Sequence, residues 1–326
     1  MRLAAFRRHT DPPDARFVGL VLGHGDHLRV HPFDAHADLV ELLAETPEWR
    51  ESRADVAASG DGLPLEEIVL LPPVYPVAMR DFLSFEAHVD GMERGQGNPG
   101  APAEWYQAPV FLFMAPHAVT GPYDDVPIAP DTERFDFELE IAAVISRDVR
   151  NVTPAEARTA IGGYCVMNDW SARDIQGREM KLKLGPSKGK DFATTIGPWV
   201  VTADEFDAHR DADGFLDLPM RVSVNGVEVG SDRSGHMSWS FEQLVSYASR
   251  ASWVKAGEVL DSGTCASGSL AESWGRNGSL TPPPLQVGDL VEMTIEGIGT
   301  IANRIVPATA DVPPVPAARR RVTEAV

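Results

Sequence analysis

The chain has 326 residues, of which 43% are hydrophobic and 24% are charged. This composition is typical of a globular protein with one large core or two modest domains. The formal net charge of −19 gives the surface a field that repels phosphate backbones and anionic lipids, so nucleic acid is not expected as a partner.

The sequence also argues against a membrane protein and against a zinc or disulfide protein. No apolar run approaches the roughly 18 to 20 residues of a membrane span, and the start MRLAAFRRHTDPPD lacks a signal-peptide core. Cys165 and Cys265 lie a hundred residues apart without CxxC or Cys/His spacing. We therefore expect a protein of the reducing cytoplasm.

The first 71 residues alternate β-like and helical segments. FVGLVLGHGDHLRV (residues 17–30) has strand character, and ADLVELLAETPEWR (residues 37–50) has helical character. LPPVYPV (residues 71–77) contains three prolines, which fix φ and prevent a helix. This segment predicts an extended linker, and it places a boundary near residue 72 between a small N-terminal domain (1–71) and a larger domain (72–306).

Beyond the linker, short strands dominate. Strands are predicted in residues 108–114, 135–145, 162–170, 195–202, 221–229 and 285–306. Asn225-Gly226 between alternating valines predicts a type I′ hairpin. The fold class is therefore mainly β, of the α+β type.

Helices are fewer, and their start signals are clear. Thr153 followed by Pro154 predicts a helix over residues 152–161, and Ser240 with Gln243 forms a capping box before LVSYAS. The tail from Pro307 to residue 326 is rich in proline and charge and is predicted to be flexible.

The segment FDFELEIAAVI (residues 135–145) predicts a strand with two acids on one face. Its apolar residues alternate, so Glu138 and Glu140 point to the same side. At about 6 to 7 Å apart, two carboxylates repel by roughly 2 to 3 kcal/mol at an effective dielectric near 20. Two interpretations remain open: an edge strand with its acids in water, or an acidic face that binds a cation.

Two further acids stand in unusual surroundings. Asp81 opens an apolar stretch in which His88 follows seven residues later, on the same face if the stretch is helical. Asp169 follows an apolar strand and precedes a cluster of lysines. With Glu138 and Glu140 these acids would form an all-oxygen site suited to Mg²⁺, Mn²⁺ or Ca²⁺ rather than to zinc. Composition alone does not select these four from the 48 acidic residues.

Five motifs, in order along the chain, resemble the fumarylacetoacetate hydrolase family: DFLSFEAH, FELE, NDWSARDIQ, GPSKGKDFATTIGPWVV and SGTCASGSLAESW. The resemblance covers roughly residues 72–306. It implies a twisted β-roll catalytic domain, a small β-rich N-terminal domain, a homodimer and a divalent cation. It also implies Mg²⁺ as the expected cation, held by Asp81, Glu138, Glu140 and Asp169, with Mn²⁺ or Ca²⁺ as alternatives.

The resemblance also implies catalytic roles for His88 and Glu272. A neutral imidazole can take a proton from water, while a carboxylate on its other nitrogen fixes the tautomer and stabilises the imidazolium. Without the family context, a lone histidine would more often be structural.

Three more residues match family positions that orient the substrate and stabilise an oxyanion: Arg173, Gln176 and Lys190. Such donors can each contribute about 2.7 to 4 kcal/mol. The alternative for Lys190 is a solvated loop charge, which is the interpretation retained for Lys181, Lys183 and Lys188. Thr264 is a candidate hydroxyl for binding the substrate carboxylate.

The chain departs from the family at several positions around the expected substrate. Met180 and Leu112 stand near positions that hold tyrosines in fumarylacetoacetase, so the far end of the substrate is expected to differ. Gly91 replaces the glutamate that smaller acylpyruvase-type relatives carry three residues after their histidine, and Glu93 follows two residues later. Residues 90–107 form either a lid or a long connection.

The resulting hypothesis is a metal-dependent hydrolase that cleaves a carbon–carbon bond in a 1,3-diketo acid of the acylpyruvate type. His88 and Glu272 would activate water, and the cation would stabilise the departing enolate. Alternatives within the family are a decarboxylase, an isomerase or a hydratase of a 2-keto acid in aromatic catabolism. An alternative of another class is a catalytically idle protein that binds metal or ligand.

Overall fold

The computed structural model describes residues 1–34, 37–95, 97–308 and 312–319, and within them strands outnumber helices. The strands are β1 (Arg2–Arg8), β2 (Phe17–Leu22), β3 (Arg29–Pro32), β4 (Leu63–Pro64), β5 (Ile68–Leu71), β6 (Met79–Phe82), β7 (Phe111–Met114), β8 (Val119–Thr120), β9 (Val126–Pro127), β10 (Phe135–Asp136), β11 (Leu139–Ile145), β12 (Ile161–Asp169), β13 (Ser171–Ala172), β14 (Thr194–Thr202), β15 (Pro219–Val224), β16 (Val227–Arg233), β17 (Val259–Asp261), β18 (Leu290–Ile295) and β19 (Gly299–Val306). The α-helices are α1 (Leu39–Ala44), α2 (Pro47–Ala58), α3 (Glu86–Gly95), α4 (Pro154–Ala157), α5 (Arg173–Met180), α6 (Phe241–Ala248) and α7 (Leu270–Asn277). The predicted strand-rich, mixed α and β fold class is confirmed.

The strands form three sheets. The largest has twelve strands, in the order β4-β3-β2-β1-β14-β12-β11-β17-β6-β7, with β5 paired to β1 and β8 paired to β14. A five-stranded sheet has the order β16-β15-β18-β19-β9, and β10 pairs with β13 alone. In the central part of the large sheet, β6, β17, β11 and β12 are neighbours, so residues from distant parts of the chain lie side by side there.

The N-terminal region shares the large sheet with the rest of the chain. Strand β1 pairs antiparallel with β14, with Leu3 opposite Val200, and β2 to β5 extend the sheet from β1. The domain boundary near residue 72 stays a prediction, since a shared sheet does not decide whether residues 1–71 fold alone.

The segment from Phe135 to Ile145 is not one continuous strand. β10 ends at Asp136 and pairs with β13, whereas β11 begins at Leu139 and pairs with β12 and β17. The prediction of a single strand is wrong because the Asp136 carboxylate accepts hydrogen bonds from the amides of Leu270 and Ala271, which hold β10 against the start of α7. The interpretation of an acidic edge in water is also wrong, because Glu138 and Glu140 are buried.

The apolar residues of this segment pack as their alternation predicts. Phe137, Leu139 and Ile141 are at most 1% exposed and belong to the main core cluster. Phe135 stacks on Trp170, with ring centroids 5.6 Å apart. The core therefore packs against the face of this segment that is opposite to Glu138 and Glu140.

The local turn and cap signals are confirmed. Asn225 and Gly226 have φ values of 53° and 77°, as a type I′ turn requires. Thr153 and Ser240 both form capping boxes, at the starts of α4 and α6. Within the described residues, no helix is long and apolar enough to cross a membrane.

Two further predictions concern residues 90–107 and the tail that follows residue 306. Residues 90–95 belong to helix α3. Later in the segment, Trp105 is buried, and its indole Nε1 donates to the Leu83 carbonyl at 2.8 Å. The predicted flexible tail lies partly outside the described residues. Its described part, 307–308 and 312–319, has no helix or strand.

Candidate metal centre and active site

Three buried carboxylates converge at the centre of the large sheet. Asp81, Glu138 and Glu140 each offer one oxygen, and these oxygens lie within 4.8 Å of one another. Asp81 comes from β6, Glu140 from β11, and Glu138 from the break between β10 and β11. Since such close buried carboxylates repel strongly, the three form a site that could hold a divalent metal ion.

Asp169 lies at the end of β12, beside this triad, but its carboxylate is differently engaged. Its Oδ2 accepts a hydrogen bond from Lys190 Nζ, and its Oδ1 is buried without a partner among the described residues. Glu140 Oε2 is likewise buried and unpartnered there. These unpartnered oxygens and the all-oxygen donor set fit a hard cation such as Mg²⁺ or Mn²⁺.

Two cations neutralise part of the acidic charge. Arg173 pairs with Asp136 and Glu138, each at 2.8 Å, and Lys190 pairs with Glu138 and Asp169. Burial alone would raise the pKa of Glu138, but the charges of Arg173 and Lys190 outweigh it and hold that pKa well below its ordinary range.

The other acids of the cluster shift in the opposite direction. Burial and the neighbouring charges of Asp261 and Asp81 raise the pKa of Glu140 well above its ordinary value. Burial also raises the pKa of Asp169 well above its ordinary value, and Lys190 only partly offsets this effect. The cluster thus contains more buried negative charge than Arg173 and Lys190 balance.

Asp261 belongs to this cluster, and sequence reasoning missed it. It lies in β17 directly beside Asp81 of β6 in the parallel pairing. Its Oδ1 accepts from the amide of Gly263 at 3.0 Å, and its Oδ2 is buried without a partner in the described chain. Burial and the charge of Asp81 raise the pKa of Asp261 well above its ordinary value. The available signal was an acid at the end of an apolar strand, directly before Ser-Gly-Thr.

Asp136 is the second residue that the sequence did not single out. Its carboxylate is fully buried, pairs with Arg173 and accepts from the first two amides of α7. It therefore couples the position of Arg173 to that of the helix that carries Glu272.

The predicted catalytic pair is in contact. His88 on α3 and Glu272 on α7 are both buried, and His88 Nδ1 lies 3.2 Å from Glu272 Oε2. Glu272 Oε2 also accepts from the Ser267 amide at 2.8 Å, and Glu272 Oε1 pairs with Arg276. The carboxylate is therefore fixed from three sides. His88 is on α3 and Asp81 on β6, so the single helix considered for both is wrong.

Glycines allow α3 and α7 to approach closely. A Cβ on Gly91 would lie 2.7 Å from Cγ of Glu272, and a Cβ on Gly95 would lie 2.6 Å from Cα of Gly275. A glutamate at position 91, as in the smaller relatives, would therefore clash with Glu272. With α3 and α7 packed this closely, a carboxylate that contacts His88 can come from position 91 or from position 272, but not from both.

Gln176 and Thr264 also reach the cluster. Gln176 Oε1 accepts from Arg173 Nη1 at 3.1 Å, which leaves the Gln176 amide nitrogen as its donor group. Thr264 donates to Glu140 Oε1 at 3.3 Å. Their predicted roles toward substrate stay predictions.

A cavity of about 310 Å³ joins the acidic cluster to the histidine. We call its charged end, formed by Asp81, Glu138, Arg173, Lys190 and Thr264, the floor. We call the side formed by α3, β7, Met180 and Pro186 the rim, which includes Leu112. A larger hollow of about 840 Å³ lies between the N-terminal region and the β18–β19 turn and contains none of the predicted site residues. The chemistry therefore assigns the smaller cavity as the site.

Comparison with known proteins gives consistent results. The family described as fumarylacetoacetate (FAA) hydrolase C-terminal matches residues 78–306. A 2,4-didehydro-3-deoxy-L-rhamnonate hydrolase from Sphingomonas sp. is 27% identical over 279 residues, 83% of this chain and 90% of the relative. A mitochondrial oxaloacetate tautomerase from Homo sapiens is 28% identical over 316 residues, 94% and 92% of the two chains.

A solved structure shows the same fold. The maleylpyruvate hydrolase from Sphingobium sp., in complex with manganese(II) and pyruvate, superposes with a TM-score of 0.69 at 22% identity and covers 95% of this chain and 100% of that one.

Proposed function

Since the chain belongs to the fumarylacetoacetate hydrolase family, we propose that it is a divalent-metal-dependent hydrolase that cleaves a carbon–carbon bond in a 1,3-diketo acid of the acylpyruvate type. The observation that carries the proposal is the buried His88–Glu272 pair, whose histidine lines the same cavity as Asp81 and Glu138 of the acidic cluster. A general base beside a site for a polarised dicarbonyl is the arrangement that hydrolysis requires.

His88 is proposed as the general base. Its Nδ1 donates to the Glu272 carboxylate, so the neutral ring has its lone pair on Nε2 and can take a proton from water there. The hydroxide adds to the acyl carbonyl carbon, and the bond between that carbon and the adjacent CH₂ carbon then breaks. The electron pair stays on the CH₂ carbon of the pyruvate fragment, and His88 returns its proton to this CH₂ carbon, which becomes the methyl group of pyruvate.

Lys190 and Gln176 are proposed to hold the tetrahedral oxygen, and Arg173 and Thr264 to orient the substrate carboxylate. Lys190 is only 6% exposed, and the carboxylates of Glu138 and Asp169 fix its ammonium group. A preorganised cation of this kind gains most in a site that excludes water.

We propose Mg²⁺ as the cation, with Mn²⁺ or Ca²⁺ as alternatives, held by Asp81, Glu138, Glu140 and Asp169. When bound, it supplies positive charge for the negative charge that develops on the substrate oxygens. We propose a homodimer from the family resemblance. We propose a cytoplasmic location because both cysteines are free and buried.

A tautomerase or isomerase is the second candidate. Some relatives have that activity in their names, such as the human oxaloacetate tautomerase. A tautomerase moves a proton between carbon and oxygen without cleavage, and His88 could carry that proton. A decarboxylase or hydratase would use the same floor. An idle metal-binding protein is disfavoured, since every predicted ligand and base is present and buried.

The test is product analysis with a panel of keto acids, including acetylpyruvate and oxaloacetate, in Mg²⁺ or Mn²⁺ and after EDTA treatment. Hydrolysis gives one carboxylic acid and pyruvate for each acylpyruvate consumed. Proton exchange at C3 of oxaloacetate without cleavage of acylpyruvates would instead support the tautomerase. Activity that resists exhaustive EDTA treatment would exclude the metal-dependent proposal.

The base is tested by His88→Gln, which should lower kcat by about 10²- to 10⁴-fold. The matched control is His236→Gln, because the His236 side chain is exposed and is likewise in contact with a carboxylate, Asp232, at 2.5 Å. The control should keep its activity. If His88→Gln hydrolyses acetylpyruvate at the original rate, His88 is not the base.

A further inference from the structure

The cations of the cavity are almost fully committed to the protein's own acids. Arg173 pairs with Asp136 and Glu138, and Lys190 pairs with Glu138 and Asp169. Arg173 Nη2 is buried and has no partner among the described residues, and it is separate from the Lys190 and Gln176 donors assigned to the tetrahedral oxygen. The floor therefore has an uncommitted charged donor for one substrate carboxylate, in the cavity that Thr264 also lines.

The rim, in contrast, offers apolar contacts. Leu112 of β7 lies opposite Asp81 in the antiparallel pairing, so its side chain extends from the same face of the sheet. Phe111 packs against Phe82 with ring centroids 5.1 Å apart, and Val89 and Met92 of α3 face the same space. A ligand that leaves the floor toward the rim meets aliphatic and aromatic carbon.

Among the described rim residues that line the cavity, one carries a charged side chain, and its charge is negative. Glu93 lies four residues after Val89, on the same face of α3, and lines the cavity. Its Oε2 accepts from Asn98 at 2.6 Å, and no cation of the described chain forms an ion pair with it. A second carboxylate on a substrate would therefore face Glu93, with no cation among the described rim residues that line the cavity.

We propose that this cavity selects keto acids with a single carboxylate and an apolar far end, and that Glu93 excludes substrates with a second, distal carboxylate. This inference rests on the proposed function for the reaction, but its physical basis is the charge distribution of the rim. An alkyl or aryl acyl group gains apolar burial against Leu112 and Met92. A distal carboxylate would lose hydration and gain repulsion.

The test compares two acylpyruvates that differ only at their ends. 2,4-Dioxoheptanoate ends in a methyl group, and 2,4-dioxoheptanedioate ends in a carboxylate in its place. We expect kcat/KM for the monocarboxylate to exceed that for the dicarboxylate roughly a hundredfold, because a mismatched polar group discriminates strongly in a site without a partner for it. Equal values, or a preference for the dicarboxylate, would overturn the proposal.

The role of Glu93 is tested by the ratio of the two kcat/KM values, which does not depend on the fraction of active enzyme. Glu93→Gln should narrow the ratio about tenfold, and Met180→Arg, which places a cation on the rim, should narrow it further. The matched control is Glu104→Gln, an exposed acid outside the cavity, which should leave the ratio unchanged. A ratio that stays unchanged in Glu93→Gln would remove Glu93 from the explanation.

A binding measurement separates this inference from the reaction itself. The 2-oxo acids 2-oxoheptanoate and 2-oxoheptanedioate lack the second ketone and cannot be cleaved hydrolytically. In the presence of Mn²⁺, calorimetry should give a dissociation constant at least tenfold lower for the monocarboxylate. If neither acylpyruvate is hydrolysed but this preference holds, the proposed function fails and the specificity stands. If the dicarboxylate binds as well or better, the specificity fails.

Discussion

The floor and the rim of the cavity are built on opposite principles. The acids and cations of the floor are at most 7% exposed, and nearly every one is fixed by an ion pair or a backbone amide. On the rim, Met180 is 51% exposed. The floor is charged, and its side chains are held by several contacts, whereas the rim is mainly apolar and open to solvent. The difference suggests that the floor sets the chemistry, and the rim sets which acyl group can enter.

The strongest test of this division is removal of a floor carboxylate. Glu138→Ala should lower kcat/KM about a thousandfold, which corresponds to about 4 kcal/mol, for every substrate regardless of its acyl group. It should also abolish the rise in Tm that Mn²⁺ produces, because it removes one of the three converging oxygens. Steady-state kinetics and thermal unfolding, with and without Mn²⁺, measure both effects.

The matched control for this substitution is Glu133→Ala, an exposed acid five residues earlier. It should retain both activity and the Mn²⁺ effect. Glu138→Gln provides a second variant that preserves the packing volume. If Glu138→Gln keeps its full activity, or loses it for some substrates only, the floor is not the common chemical element.

The next largest effect is expected from Asp136, which lies below the floor and does not contact the cavity. Asp136→Ala leaves Arg173 with one partner fewer and removes the acceptor for the Leu270 and Ala271 amides. Breaking a buried pair of this kind costs about 3 to 5 kcal/mol of unfolding free energy. Urea unfolding measures that loss.

Asp136→Ala should also lower kcat for all substrates by a similar factor, because α7 carries Glu272. Asp174→Ala is the control, since Asp174 is a half-buried acid on α5 that contacts Thr132 and the Glu133 amide instead. A loss of stability without any change in kcat would show that α7 positions Glu272 without help from Asp136.

The sequence identified the four acids proposed as metal ligands better than the residues that support them. Asp81, Glu138, Glu140 and Asp169 stand in motifs of fixed spacing, so resemblance could identify them. Asp136 and Asp261 look like ordinary strand acids. Asp261 lies beside Asp81 only because β17 pairs in parallel with β6, and Asp136 is buried only because α7 begins against it. Such neighbours are fixed by tertiary pairing, which local alternation does not contain.

The same limit explains the strand that was wrongly predicted as continuous. Apolar residues alternate without interruption from Phe135 to Ile141, and Phe137 is buried even though it lies outside both strands. Alternation reports which side chains face the core. It does not report where the hydrogen-bonding partner changes from β13 to β12.

A smaller effect is expected where α3, which forms part of the rim, contacts Glu272 of the proposed catalytic pair. A methyl group at position 91 would lie 2.7 Å from Glu272 Cγ, so Gly91→Ala should displace Glu272 from His88 and lower kcat roughly tenfold, with little change in KM. Steady-state kinetics on acetylpyruvate measure this effect. Gly177→Ala is the control, because a Cβ there meets no atom within 4 Å. An unchanged kcat in Gly91→Ala would show that the helix packing tolerates a side chain at this position.

The smallest effect separates two lysines of one motif. Lys190 is buried against Glu138 and Asp169, whereas Lys188 is 73% exposed in its side chain and pairs with Asp191 at 2.9 Å. Exposed pairs contribute about 0.2 to 1 kcal/mol, so Lys188→Met should change kcat/KM less than twofold and the unfolding free energy by less than about 1 kcal/mol. Lys190→Met, the matched variant, should lose most of the activity. If Lys188→Met loses more than about tenfold, the charge of the whole loop would contribute to catalysis, and the division between a chemical floor and a selective rim would no longer hold.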